Sequence, residues 1–361
     1  MHTPAYLQLY HQLRENIIQG VYPFGLRLPP KRTLAQDQGL SLVTVEHAYA
    51  LLADEGYVEA RQRSGYYVCY QGEHFFAAPE QSLAEGSEGL PEAAVPAASA
   101  AYRFPFSVLA RTMRRVLSLR GESILERSPD RGLGELRLAL SEYLARSRGI
   151  RVKAEQIIIG SGAEFLYGLI VPLLGREKLY ALEDPSYEKI RQVYEAGGAR
   201  CQLLPMGTEG IKSKALASSR AGVLHVTPFH SFPSGVTAGA SKRAEYLRWA
   251  RERDAYLVED DYDSEFTLSS KAQDTLFARS PEGRVIYLNS FTRTIAPSLR
   301  IGYMVLPLNL LTLFDRNLGY YSCSVPLFEQ IVLAELLKSG DFERHINRVR
   351  RQLRKEGGKN G

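Results

Sequence analysis

Residues 258–266 read VEDDYDSEF, a run of acidic residues that directly follows a short apolar segment. The segment 256–259 is too short for a helix and is rich in β-branched and aromatic residues, so it predicts a strand. Acidic residues at the end of a strand are typical of a solvated turn or a cation site. They also fit a single buried carboxylate that pairs with a protonated ring nitrogen. The string alone leaves these three interpretations open.

Outward from this strand, similar short runs alternate with segments of helical periodicity. Strands are predicted at 156–159, 179–182, 223–226, 256–259 and 285–288, and helices at 164–174, 187–196 and 241–254. Strands that alternate with helices predict an α/β domain with a mostly parallel sheet. In such sheets the ligand lies beyond the carboxyl ends of the strands.

Two further strand ends carry residues suited to an anion. Gly160-Ser161-Gly162-Ala163 lies between a strand and a helix, where exposed N–H groups favour phosphate, although a tight turn also requires glycine. Ser290, Thr292 and Arg293 follow the strand 285–288, and Arg300 comes seven residues later. Hydroxyl groups beside an arginine again suit a phosphate.

Four strings together resemble the fold-type-I aminotransferases, which carry pyridoxal phosphate: 183–187 (EDPSY), 227–235 (TPFHSFPSG), 258–266 and 296–302 (APSLRIG). The resemblance implies that Asp260 keeps the pyridine nitrogen of the cofactor protonated and that Tyr262 bonds its phenolate oxygen. It places Tyr187 near the ring or an amino-acid ligand, with His230 and Phe232 in a loop that closes over the ring. The residues it implies around the phosphate are Ser161, Gly162, Ala163, Ser290, Thr292 and Arg300.

The sequence departs from that family at two places. The family has a Schiff-base lysine at the position of Arg293, and no lysine lies between Lys271 and Lys338. A guanidinium stays protonated and cannot form an imine, so transamination is not expected. The charge of Arg293 could instead pair with a phosphate or with the acids near Asp260. The helix predicted at 342–351 leads, in the family, into a C-terminal subdomain that carries a carboxylate-binding arginine. We expect that subdomain to be missing from this chain.

Residues 1–70 show a different pattern, with an amphipathic helix at 6–19, short helices at 31–38 and 42–54, and a hairpin of strands at 57–60 and 65–68. This order predicts a winged helix-turn-helix with Ser41 as the cap of the second short helix. Ser41, Leu42 and Thr44 would lie near base edges, and Arg32, Arg61 and Arg63 on the phosphates or in the minor groove. A small protein-interaction module is the alternative, because Lys/Arg and Asp/Glu balance in this segment.

The strings 28–35 (LPPKRTLA), 44–49 (TVEHAY) and 52–57 (LADEGY) resemble the GntR-type winged helix. The segment departs from that family at Pro30 and at Leu42-Val43. A GntR-type head before an aminotransferase-like domain is similar to the MocR/GabR-type transcriptional regulators. That resemblance implies binding to double-stranded DNA, a homodimer, sensing of pyridoxal phosphate and an amino-acid-like effector. A working aminotransferase and a degenerate regulator that binds DNA without sensing are the alternatives.

Composition agrees with a globular protein of 361 residues with a formal net charge of +5. Residues 71–100 are acidic and rich in Ala, Gly and Pro, which predicts a linker between a head at 1–70 and an aminotransferase-like domain at 101–361. Three widely spaced cysteines indicate neither disulfides nor a metal site. No signal peptide or apolar run of about 18 residues is evident, so a cytoplasmic protein without membrane contact is expected.

Overall fold

The computed structural model describes residues 4–61, 64–70, 103–266, 274–280 and 283–357. The chain divides into two compact units, residues 1–93 and 94–361. Arg63 and the predicted linker 71–100 lie outside the described residues.

Within residues 4–61 and 64–70, the first unit contains three helices and a two-stranded hairpin. Their bounds are α1 Ala5–Ile18, α2 Lys31–Asp37, α3 Leu42–Asp54, β1 Val58–Arg61 and β2 Gly65–Val68. The two strands are antiparallel, with Arg61 opposite Gly65. Every element expected from the sequence is present, which confirms the winged helix-turn-helix.

Helix α3 begins at Leu42, directly after its N-cap residue Ser41. The hydroxyl of Ser41 accepts a hydrogen bond from the backbone N–H of Thr44, which satisfies one of the free donors of the first turn. Helix α2 is joined to α3 through Gly39, whose φ of 62° lies in the left-handed region that favours glycine. On the inner side of α3, Tyr49 and Leu52 are almost fully buried, so the head has its own apolar core.

The second unit is built of eight strands and nine helices in the described ranges. The strands are β3 Ile157–Gly160, β4 Leu179–Asp184, β5 Arg200–Gly207, β6 Gly210–Ile211, β7 Val223–Val226, β8 Tyr256–Asp260, β9 Val285–Ser290 and β10 Gly302–Val305. The helices are α4 Phe106–Arg120, α5 Gly134–Arg148, α6 Ala163–Leu174, α7 Glu188–Ala196, α8 Ser213–Ser218, α9 Ala240–Glu252, α10 Leu308–Leu318, α11 Leu327–Lys338 and α12 Asp341–Gly357.

These strands form one sheet in the order β3-β10-β9-β8-β7-β4-β5-β6. Neighbours from β9 through β5 are parallel, whereas β10 runs antiparallel to both β3 and β9. Helices cover both faces, because alternate residues of one strand enter different cores. Ile157 and Ile159 of β3 join the core that includes α5 and α11, while Ile158 joins the core that includes α6 and α10. The α/β class and the mostly parallel sheet predicted from the sequence are confirmed.

Several predicted bounds were wrong by one or two residues, and strands β5, β6 and β10 were missed. Gln156 belongs to a short 3-10 helix, where its amide donates to the carbonyl of Leu306 at 2.9 Å. Tyr187 precedes helix α7 in extended backbone rather than starting the helix. Strands β5, β6 and β10 were not predicted, because β5 contains proline and polar residues and the other two are short.

None of the helices in the described ranges is long and apolar enough to cross a membrane.

Candidate functional site

The sheet brings the predicted ligand-binding segments to one edge. Gly302, at the start of β10, pairs with Gly160 at the end of β3 and with Ser290 at the end of β9. Asp260, at the end of β8, pairs with Leu288 of β9. A side chain at Gly302 would meet the carbonyl oxygen of Asn289 and the Leu166 side chain, each at 3.1 Å, so the close approach of these segments favours glycine.

The turn after β3 has the form of an anion cradle. Gly162 has φ 94° and is the N-cap of α6, and no side chain caps this helix. The backbone N–H of Ser161 donates to the Ser324 hydroxyl at 3.2 Å. Arg300 lies over the turn and pairs with Glu164 at 3.0 Å. An uncapped helix start beside an exposed arginine favours a phosphate group.

Asp260 is buried and held from behind by aromatic side chains. The hydroxyl of Tyr167 donates to Asp260 Oδ2, and burial together with this carboxylate raises the pKa of Tyr167 well above its ordinary value. The ring of His225 lies behind the same carboxylate, with Nε2 3.8 Å from Oδ2. The Nδ1 of His225 lies 2.8 Å from the Tyr194 hydroxyl. The carboxylate therefore has a fixed orientation at the end of β8.

Arg293 lies in a cluster with Asp263, Tyr262 and His230. Its Nε is 3.0 Å from Asp263 Oδ1, and its guanidinium carbon lies 5.7 Å from the centre of the Tyr262 ring. The other oxygen of Asp263 is 3.1 Å from His230 Nδ1. The Tyr262 hydroxyl donates to the His230 carbonyl oxygen at 2.8 Å, so this loop is tied to the end of β8.

The loop 229–237 is anchored from its other side by Glu183. The hydroxyl of Ser231 donates to Glu183 Oε2 at 2.6 Å, and burial raises the pKa of Glu183 to about 8. The ring of Phe232 makes an edge contact with Tyr187, with centroids 6.2 Å apart. Tyr187 and Phe232, both expected near the cofactor ring, are thus neighbours.

The remaining acidic residues of 258–266 have partners inside the domain. Asp261 pairs with Arg148 and accepts from the Tyr287 hydroxyl at 2.6 Å. Glu259 accepts from the backbone N–H groups of residues 276 and 277, and Glu265 accepts from the Asn289 amide at 2.8 Å. Within the described ranges, no group of three His, Cys, Asp or Glu residues is placed to hold a metal ion.

The predicted DNA-binding residues lie on the head as follows. Ser41 and Thr44 bond to each other through hydroxyls 2.8 Å apart, and Leu42 and Arg32 are exposed. Arg61 lies over the Tyr67 ring at 4.6 Å and pairs with Glu59 at 3.3 Å.

Sequence reasoning missed Tyr167 and His225, and it left open whether Arg293 pairs with a phosphate or with an acid near Asp260; the structure pairs it with Asp263. Tyr167 and His225 are separated from Asp260 by 93 and 35 residues, so only the fold brings them together. Asp263 lies within the quoted string and was visible in the sequence as a carboxylate three residues after the end of β8.

The two units define a winged helix-turn-helix protein with an aminotransferase-like domain. The family model described as bacterial regulatory proteins, gntR family, matches residues 5–68, and aminotransferase class I and II matches residues 98–356. The chain belongs to the GntR-type regulators that carry an aminotransferase class I and II domain, a family of DNA-binding transcriptional regulators.

Relatives that match nearly the whole of this chain are described as regulators. YdeL of Bacillus subtilis, an uncharacterized HTH-type transcriptional regulator, is 34% identical over 98% of this chain and 77% of its own. The probable rhizopine catabolism regulatory protein MocR of Rhizobium meliloti is 32% identical over 97% of this chain and 75% of its own.

Solved aminotransferases share the fold of the second unit. LysN, an α-aminoadipate aminotransferase from Thermus thermophilus, superposes with a TM-score of 0.61 at 30% identity over 69% of this chain. The match covers 64% of LysN, so the chain spans less than two thirds of that enzyme.

Proposed function

We propose that this protein is a cytoplasmic DNA-binding regulator whose aminotransferase-like domain binds pyridoxal phosphate without a covalent link and serves for sensing and dimerisation. The observation that carries the proposal is the ion pair between Arg293 and Asp263. By resemblance, residue 293 is where a lysine would attach the cofactor. A guanidinium that is protonated and held by a carboxylate has no nucleophilic lone pair for that bond.

The residues of the strand edge fit the cofactor. When bound, pyridoxal phosphate supplies an aldehyde and an electron-withdrawing ring for chemistry on amines. Asp260, buried and fixed by Tyr167, would hold the proton of the ring nitrogen. Tyr262 would donate to the phenolate oxygen in place of the His230 carbonyl, and Tyr187 would lie beside the ring. The phosphate would be held by Ser161, Gly162, Ala163, Ser290, Thr292 and Arg300.

The position of Gly162 supports this assignment independently of resemblance. Its φ of 94° is rarely adopted by residues with a side chain, so the turn favours glycine. A Cβ there would lie 3.4 Å from Arg300 Nη2. The uncapped start of α6 leaves backbone donors for the anion. The Glu164 carboxylate forms an ion pair with Arg300, so a bound anion would compete with this carboxylate for the guanidinium.

The regulator proposal includes its partners. Double-stranded DNA is the partner of the head, and a homodimer suits an operator of two half-sites. An amino-acid-like effector would bind beside the cofactor, near Tyr187.

A titration of the full chain with pyridoxal phosphate tests the proposal. The wild-type protein should bind the cofactor reversibly, release it on dialysis after borohydride treatment, and show no added mass. Arg293→Lys should gain a visible absorption band and a borohydride-fixed mass of one phosphopyridoxyl group. Arg279→Lys, at an exposed arginine paired with Asp274, is the matched control and should behave as wild type.

Two results contradict the proposal. Borohydride fixation of one cofactor at a single lysine of the wild-type chain would show a covalent link, and turnover of an amino donor to its keto acid would show an enzyme. A gel shift with promoter fragments whose affinity is unchanged by pyridoxal phosphate and amino acids would instead identify a regulator that does not sense.

A further inference from the structure

Helix α3 of the head, the second helix of the helix-turn-helix, starts with two exposed apolar side chains. Leu42 is 38% exposed and Val43 is 58% exposed. The core of the head takes Val45, Ala48 and Tyr49 from the same helix, so Leu42 and Val43 lie outside its buried stripe. A large part of their apolar surface is therefore left uncovered by the core of the head.

The polar groups around this pair are already engaged. The Ser41 hydroxyl accepts from the Thr44 N–H at 3.1 Å and lies 2.8 Å from the Thr44 hydroxyl. One turn further on, the Glu46 carboxylate pairs with Lys31 at 3.3 Å, and the His47 ring packs edge-on against Tyr6. The two apolar side chains are therefore the unengaged groups of the first turn.

Helix α3, which reads LVTVEHAYALLAD, contains no Arg, Lys, Asn or Gln. Guanine is read in the major groove by Arg or Lys and adenine by Asn or Gln, so this helix lacks the side chains for both pairings. Thymine alone presents a methyl group in the major groove, and apolar side chains contact it. Hydroxyl and carboxylate groups also read bases, but Ser41, Thr44 and Glu46 already have partners on the head, so the apolar surface at the start of α3 suits contact with methyl groups.

We propose that Leu42 and Val43 read the 5-methyl groups of thymine in the operator half-sites. The proposal rests on the proposed DNA-binding function and specifies what the head recognises. Arg32 and Arg61 are exposed on the same unit and would supply the charge that holds the backbone, which carries no sequence information. Specificity then comes from apolar contact rather than from bidentate hydrogen bonds.

The experiment uses the full chain and a duplex selected with it from a random-sequence pool. Each thymine of the selected duplex is replaced in turn by deoxyuridine, which removes one methyl group and leaves every hydrogen-bonding group in place. At one or two positions in each half-site, the affinity of the wild-type protein should fall about fourfold, the effect of one buried methyl group.

Two variants attribute that loss to the helix. Val43→Ala or Leu42→Ala should bind the thymine and deoxyuridine duplexes equally at the affected position. Val21→Ala, at a valine that is 61% exposed in the loop after α1, should retain the fourfold difference. Because both duplexes are measured with one preparation, a partly unfolded variant weakens both equally and leaves the ratio unchanged.

The outcomes separate the two proposals. A duplex that binds tightly and tolerates deoxyuridine at every position overturns methyl reading and leaves DNA binding intact. A penalty that persists in both Leu42→Ala and Val43→Ala overturns the assignment to these residues. Failure to retain any duplex from the pool overturns the DNA-binding function and methyl reading together.

Discussion

Arg148 and Asp261 form an ion pair inside the second unit, with Nη2 2.7 Å from Oδ2 and both side chains almost inaccessible to solvent. The pair joins the end of α5 to the residue that follows β8, next to Asp260. The Tyr287 hydroxyl donates to the same oxygen of Asp261 at 2.6 Å. Burial raises the pKa of Asp261 from its ordinary value, and the Arg148 charge opposes that rise.

Arg148→Met should destabilise the second unit by about 3–5 kcal/mol, because it leaves the Asp261 carboxylate buried without its counter-charge. The free energy of unfolding can be followed by fluorescence of Trp249, the one tryptophan of the chain, which is buried in α9. Arg146→Met, at an exposed arginine paired with Glu343, is the control and should cost less than about 1 kcal/mol. Equal effects of the two substitutions would contradict a structural role for the buried pair.

Stability should fall as pH rises from about 5 to 8, and Glu183 should be one cause. Burial raises the pKa of Glu183 from 4.5 to about 8, so in this interval the folded state holds a proton that the unfolded state has lost. For each proton that the folded state holds and the unfolded state has lost, the free energy of unfolding falls by up to about 1.4 kcal/mol per unit rise in pH. The contribution is fully present below about pH 4.5 and is lost by about pH 8.

Glu183→Gln removes this titration. Relative to wild type, the variant should gain about 2–3 kcal/mol in free energy of unfolding between pH 5.5 and pH 8, measured by urea unfolding. Glu259 also has a raised pKa but is present in both proteins, so its contribution cancels. Glu209→Gln, at an exposed carboxylate, should show no such gain. Parallel curves for wild type and Glu183→Gln would show that Glu183 is ionised in the folded protein.

Gly162→Ala should weaken binding of pyridoxal phosphate about tenfold or more. Alanine is strained at φ 94°, and its Cβ would lie where the backbone must approach the phosphate. Gly168→Ala, in the interior of α6 with open space around the added methyl group, is the matched control and should leave affinity unchanged. Equilibrium dialysis measures both, and equal affinity for the two variants would place the phosphate elsewhere.

Arg61→Ala should reduce the slope of log affinity against log salt concentration by about one, with similar loss on all duplexes, because it removes one phosphate contact. Glu59→Gln removes the carboxylate that pairs with Arg61 at 3.3 Å and should strengthen binding instead. A slope that Arg61→Ala leaves unchanged would remove the described part of the wing from the interface.

Local signals account for what the sequence predicted well. Helix α3 and strand β2 have the predicted bounds, because Ser41 caps the helix and glycines end the neighbouring segments. The place of β10 between β3 and β9 was not predictable, since it depends on pairing of Gly302 with Gly160, 142 residues away.

The same distinction holds for the candidate site. Asp260 and Tyr262 stand in one string that resembles a known family, whereas the contact of Arg293 with Asp263 spans 30 residues and depends on how β9 ends beside β8. Charge alone allowed Arg293 to pair either with a phosphate or with these acids. The fold selects Asp263 as its partner.

Among the described residues, the buried members of the core of the head lie between Leu9 and Val68. A DNA-binding module that has its own apolar core does not need a particular domain after it in the sequence in order to form that core. Gene fusion can therefore join such a head to sensors of unrelated chemistry, and selection can change the operator and the effector independently of each other.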